Sequence, residues 1–244
     1  MLLFSSRGTP QRRERVSAGN HQHTSLYYYP GFFEAKLIIN GEIVKEEGVL
    51  IRTNGWKGIL TQGEVPTYLG KEEIGLDGNS MQVDAALLLS KTGRTVFNGV
   101  WTEFYDVRDF DNVDASSFSL KTTLQNTATK EEAVCQHMKI AIIGTGGVIS
   151  IPFSGKGCTS ALSAFIAGVS VNGKENDLSF LGCDFSSPQQ ITFEVRNKRV
   201  IVYRNGKEIF KPAIEVALGK VVGVIVGFEG PGRVVDLEMS SLKR

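Results

Sequence analysis

Residues 190–242 read QITFEVRNKRVIVYRNGKEIFKPAIEVALGKVVGVIVGFEGPGRVVDLEMSSL, and they decide the fold. The stretch is a row of strands, each closed by a turn signal. Residues 191–195 are short and apolar, and Arg196-Asn197-Lys198 turns the chain. Residues 200–203 run into Asn205-Gly206, and residues 207–210 continue beyond it. An Asn-Gly pair between β-rich runs predicts a hairpin, because both central residues of a type I′ turn need positive φ. Residues 221–228 are almost wholly apolar and β-branched, which suits a strand covered on both faces. Gly230-Pro231-Gly232 breaks that run, and residues 234–237 form the last strand.

The 244 residues allow one large β domain, or one medium and one small. Lys and Arg number 27 against 26 Asp and Glu, so no net field recruits nucleic acid or an anionic membrane. A hydrophobic content of 41% can fill a core, and 27 glycines suit a chain with many tight turns. No apolar run reaches the ~18 residues that insertion into a membrane as a helix requires. The first residues carry a three-residue apolar patch followed by polar and basic ones, which does not read as a signal peptide. Cys135, Cys158 and Cys183 lack a close C-x-x-C spacing, which argues against zinc. They allow at most one disulfide plus one free thiol, or three buried thiols.

Residues 1–23 read as an irregular polar tail with Arg12, Arg13 and Arg15 in a basic run. His21 and His23 lie two apart without a nearby carboxylate or thiol, so a loop is expected there rather than a metal site. An alternating pattern follows: Phe33, Ala35, Leu37 and Ile39, a turn at Asn40-Gly41, a return strand over residues 42–44, and a further strand over residues 49–52. His23-Thr24, Tyr27, Pro30-Gly31 and this strand together resemble the last strands of a PKD domain, a small Ig-like sandwich, over residues 24–58. The early strands of that family are missing. The resemblance therefore implies either an N-terminally truncated product or a hairpin that packs on the next domain.

Residues 59–94 read as a connector with strands of the larger domain mixed in, one of them over residues 81–89. The larger domain is expected over residues 95–244. Its strands include residues 96–105, 118–125, 135–143, 148–153 and an apolar run over 161–171. About ten strands in ~150 residues indicate two packed antiparallel sheets of jelly-roll type. The strand from Phe118 after an Asp/Asn loop, the Val200-to-Lys207 hairpin, and Gly223, Gly227, Phe228 and Gly230 near the end resemble concanavalin A-like (laminin G-like) sandwiches. The fold class is thus all-β: a concanavalin-like sandwich preceded by a small Ig-like hairpin region.

No enzyme motif survives its test. The run from Lys139 to Gly147 looks like a dinucleotide-binding strand and turn, but the third glycine's place holds Ile149 and no helix opens there. Gly155-Lys156-Gly157 fails the P-loop spacing, and no Gly-x-Ser-x-Gly elbow occurs. Retaining glycoside hydrolysis would draw alternating carboxylates from one sheet face, and the one such pair, Asp236 and Glu238, lies at the end of the final strand. Sugar sites on sandwiches like those resembled use an aromatic face and loop Asp/Asn groups, sometimes organised by calcium. Here Trp56, Trp101 and Tyr105 are the aromatic candidates, beside Asp106, Asp109, Asp111, Asn112 and Asp114. Asp109, Asp111 and Asp114 are the candidate calcium ligands. The expectation is a non-catalytic module binding glycan or protein. The resemblance places it in a cell-surface, periplasmic or extracellular multidomain protein. A ligand-free spacer and a polysaccharide hydrolase are the alternatives.

Overall fold

The computed structural model describes residues 2–6, 12–14, 29–39, 42–62, 66–129, 131–132 and 135–242. Four strands open the chain: β1 (Leu2–Ser6), β2 (Arg12–Glu14), β3 (Gly31–Ile39) and β4 (Glu42–Ile51). They form one antiparallel sheet in the order β2-β1-β3-β4. Next come β5 (Lys57–Thr61), β6 (Thr67–Leu69), β7 (Met81–Val83), helix α1 (Ala85–Thr92), β8 (Trp101–Val107) and β9 (Phe118–Asn126). Then follow β10 (His137–Gly144), β11 (Val148–Ser154), β12 (Ser163–Ile166), β13 (Val169–Asn172) and a 3₁₀ turn (Ser179–Leu181). The last strands are β14 (Gln189–Arg196), β15 (Arg199–Arg204), β16 (Lys207–Phe210), β17 (Val221–Glu229) and β18 (Gly232–Ser241).

Two antiparallel sheets make a sandwich, one ordered β13-β12-β11-β10-β17-β8-β5-β6 and the other β16-β15-β14-β9-β18-β7. The all-β, two-sheet jelly-roll expectation holds. Both turns of the deciding stretch have the required backbone: φ is 51° and 54° at Asn197 and Lys198, and 50° and 77° at Asn205 and Gly206. Alternate residues of each strand point inward, so Phe104, Ile140 and Phe228 of one sheet meet Leu120, Phe193 and Val202 of the other in one core.

Several expectations change. The tail holds two strands, since Leu2–Ser6 pairs along β3 through backbone groups that no side-chain pattern announces. His21, His23, Thr24 and Tyr27 lie outside the described residues. The segments 42–44 and 49–52 are one strand, β4, because residues 46–48 stay in register with residues 34–36. An ion pair between Lys36 and Glu46 at 2.9 Å spans that register. β5, β6 and β7 belong to the sandwich sheets, as the strands of the larger domain expected within residues 59–94. Residues 85–92 are helix rather than strand. Asp84 caps the helix by accepting from Leu87 N at 2.7 Å, and Gly93 closes it at φ 68°. The apolar run over 161–171 is the hairpin β12–β13, turned at Ala167 and Gly168.

The outer face of the eight-stranded sheet is partly covered. Ile59, Tyr105, Val107, Ile143 and Val222 form a second buried cluster there, and Tyr29, Phe32 and Leu50 pack on it. The hairpin of β3 and β4 thus packs on the outer face of the eight-stranded sheet. Among the described residues no helix is long and apolar enough to cross a membrane.

Candidate functional site

Strand β8 divides the candidate residues by its two-residue period. Thr102, Phe104 and Asp106 face the sandwich interior, whereas Trp101, Glu103 and Tyr105 face outward. Trp56 is therefore the one aromatic candidate that joins the acidic loop.

Beyond Val107 the chain crosses the rim of the sandwich. Arg108 N and Phe110 N donate to Val222 and Val221 carbonyls at 3.1 and 3.4 Å, and Phe110 and Val113 tuck against the core. This loop, Trp56, Asn79 and residues 237–240 enclose a cleft of about 400 Å³. Trp56 is 7% exposed, and its ring N–H donates to Asn79 Oδ1 at 3.2 Å. Asp106 lines the cleft with its side chain only 6% exposed. Arg108 Nε donates to Asp106 Oδ2 at 2.9 Å. Asp106 Oδ1 is buried and has no hydrogen-bond partner among the described residues.

The remaining carboxylates of the loop are already engaged. Lys220 Nζ lies 2.9 Å from Asp109 and 2.8 Å from Asp111, and Arg52 lies 2.8 Å from Asp109. Hydrogen bonds from Arg52 and then Lys220 hold the Asp109 carboxyl below its usual range, and Asp111 and Asp109 raise Lys220. Asp114 Oδ1 accepts from Ser116 N and Oγ at 2.9 and 2.7 Å, folding its own turn. Calcium requires six to eight converging oxygens. Among the described residues no group of three or more His, Cys, Asp or Glu could hold a metal ion. The loop does not fit calcium: the Lys220 ammonium, not a metal ion, bridges Asp109 and Asp111.

Outside the sheet, Trp101 and Tyr105 belong to a different cluster. Tyr105 is 5% exposed under Tyr29, whose ring centroid lies 6.3 Å away. Its hydroxyl donates to Glu103 at 2.6 Å, and burial followed by the Glu103 charge raises its pKa. Tyr105 is thus packed rather than presented as a stacking platform. Lys139 pairs with Glu103 and sits 5.3 Å from the centroid of the half-buried Trp101. His137 Nδ1 lies 3.3 Å from Glu229, which also accepts from Gly99 N. Glu103 pairs with Gly227 and Glu229 with Trp101, so the two glutamates are diagonal neighbours on adjacent strands. Sequence reading missed this cluster. Residues 101, 103 and 105 shared a face visibly, but only the β8–β17 register brings Glu229 beside them.

The chain matches no known protein-family model and no curated protein. Several solved structures align with parts of it. A sialidase aligns at 8% identity with a TM-score of 0.39, over 69% of this chain and 16% of its own. The carbohydrate-binding module CBM66 from Bacillus subtilis aligns at 8% identity and TM-score 0.42, over 77% of this chain and 96% of its own. An alginate lyase from Corynebacterium sp. aligns at 11% identity and TM-score 0.39, over 76% and 94%.

Proposed function

We propose that this chain is a non-catalytic glycan-binding module whose site is the rim cleft. The observation that carries the reading is Asp106, a wall residue of a cleft of about 400 Å³ whose Oδ1 is buried without a hydrogen-bond partner among the described residues. A buried polar atom left unsatisfied costs roughly 1–3 kcal/mol, more when charged, so the site favours a ligand that donates a hydrogen bond there. Sugar hydroxyls are such donors. Asn112 and the edge of Trp56 complete the polar-with-aromatic lining that holds a small, oriented ligand. The Cys135–Cys158 disulfide supports a periplasmic, cell-surface or extracellular setting.

The test is a glycan array followed by calorimetry on residues 1–244, with calcium and with EDTA. Wild type should bind at least one glycan class equally in both buffers. Asp106→Asn, folded by thermal melt, should lose about tenfold in affinity, equivalent to 1.4 kcal/mol. A folded wild type that binds none of the neutral, amino or acidic glycans defeats the reading and leaves a structural spacer.

A second reading rests on Glu103 and Glu229. Diagonal residues on paired strands have Cα atoms ~7–8 Å apart, which puts the two side chains side by side, as the paired carboxylates of glycoside hydrolysis must be. Both groups are engaged, Glu103 by Lys139 and Tyr105 and Glu229 by His137 and Gly99. Wild type is expected to release no reducing ends from polysaccharides. Turnover abolished by both Glu103→Gln and Glu229→Gln would establish the hydrolase instead.

A further inference from the structure

A strained residue beside the rim cleft holds one of its walls, an inference that rests on the rim cleft being the glycan site. Among the described residues, five other than glycine have positive φ. Ala167, Asn197, Lys198 and Asn205 stand in hairpin turns, whereas Asp236, at φ 50°, stands inside strand β18. Its cause is a β-bulge. Val235 faces Thr123 and Glu238 faces Lys121 on β9, so Asp236 and Leu237 together oppose the single Thr122. The extra residue turns Leu237 into the core and Met239 against it, where both also line the cleft. A bulge whose first residue is left-handed ordinarily takes glycine there, the unstrained choice. Resetting the faces of β18 therefore does not explain an aspartate.

What the aspartate adds is a hold on the neighbouring turn. Residues 77–80 form a tight turn, closed by Asp77 N donating to Ser80 O at 3.0 Å and Ser80 N to Asp77 O at 2.8 Å. Asp236 N donates to Ser80 Oγ at 3.0 Å, and Ser80 Oγ donates to Asp236 Oδ1 at 3.4 Å. Leu237 N donates to the Asn79 carbonyl at 3.2 Å, and Asn79 Oδ1 accepts the Trp56 ring N–H at 3.2 Å. Asp236 lies outside the cleft lining, whereas Trp56, Asn79 and Leu237 belong to it. The bulge thus grips the turn at Asn79 and Ser80, and the turn fixes the ring of Trp56 at the cleft wall. Backbone strain persists where the surroundings over-determine it, and it clusters at binding sites.

We infer that Asp236 is a positioning residue of the glycan site: its carboxylate anchors Ser80 and, through the Asn79 turn, holds Trp56 in the orientation the ligand meets. The chain has two tryptophans, so in a Trp101→Phe background emission and acrylamide quenching report on Trp56 alone. Asp236→Gly removes the carboxylate and relieves the backbone, so the melting temperature should stay within ~3 °C of its parent. Trp56 emission should nevertheless shift to the red and its quenching by acrylamide should rise. On the glycan array, with Trp101 retained, every glycan bound by wild type should be bound about threefold more weakly or worse. Asp236→Asn keeps an acceptor for Ser80 and a residue type that tolerates positive φ, and should match its parent in all these readings. Unchanged Trp56 quenching, or unchanged binding, in Asp236→Gly overturns the inference and leaves the glycan site standing. A melting temperature that falls with the affinity also overturns it, because the aspartate would then serve the fold. So does an Asp236→Asn that behaves like Asp236→Gly. A folded wild type that binds no glycan removes the glycan reading, and this inference with it.

Discussion

At the scale of single residues, neighbours one position apart on β8 have opposite fates. Asp106 faces the rim cleft, and Tyr105 lies under the N-terminal hairpin with its hydroxyl on Glu103. Tyr105 has its pKa raised by burial first and by the Glu103 charge second. In the unfolded chain a tyrosine ionises near ~10. The stability that Tyr105 contributes is therefore fully present below about pH 10. It is lost as pH rises above that value, because the unfolded state then releases a proton that the folded state keeps. Tyr105→Phe should move the alkaline limb of the stability profile to higher pH while costing about 1 kcal/mol near neutrality through the lost hydrogen bond. Urea melts across ~pH 7–11 would measure it, and an unchanged alkaline limb would show that other groups set it. Trp56 and the loop aspartates were legible as candidates from residue type alone. That Lys220 would sit between Asp109 and Asp111 was not, because the two segments are more than a hundred residues apart and meet only through the β8–β17 pairing.

At the scale of elements, local chemistry was the best guide. The Asn205-Gly206 hairpin needs positive φ, and its residue types say so, whereas Lys198 takes a φ of 54° that its residue type does not announce. The run from Gly144 to Gly147 turns β10 into β11, where a dinucleotide fold would open a helix. Its glycines are needed for space. A Cβ on Gly146 would lie 2.3 Å from the Ala217 carbonyl oxygen, whereas one on Gly155 would meet nothing within 4 Å. Gly146→Ala is expected to cost about 2 kcal/mol or more by overpacking, and Gly155→Ala to stay within ~0.5 kcal/mol. Chemical denaturation of the two variants decides it, and similar stabilities would mean that the 217–219 segment moves aside freely. Helix α1 shows the opposite case. Residues 81–89 read as a strand, and residues 85–92 are a helix, whose N-cap Asp84 and closing Gly93 are the local signals that the strand reading passed over.

At the scale of the whole molecule, long-range ties hold the layers together. The Cys135–Cys158 bridge joins the approach to β10 with the loop after β11 across 23 residues. A loop of that length implies about 3 kcal/mol from restricting the unfolded chain. Cys158→Ser should accordingly lower the melting temperature by roughly 6–12 °C, while Cys183→Ser, which removes the unpaired thiol, should leave most of it intact. Equal melting temperatures for wild type and Cys158→Ser would mean that the sheets need no such tie. The hairpin's Tyr29, Phe32 and Leu50 make a second tie by covering the outer apolar cluster. The sequence alone determined the all-β class, the two-sheet sandwich and the positions of its main turns, because alternation and turn residues act within a few positions. It also named Trp56 and the acidic loop as chemistry-bearing. Only the tertiary structure decided which of them meet. Strand register and inter-sheet packing placed Asp106 in the rim cleft, buried Tyr105 beneath the hairpin, and set Glu229 beside Glu103. Those are contacts between distant segments, fixed by how faces bury against one another and not by any local pattern.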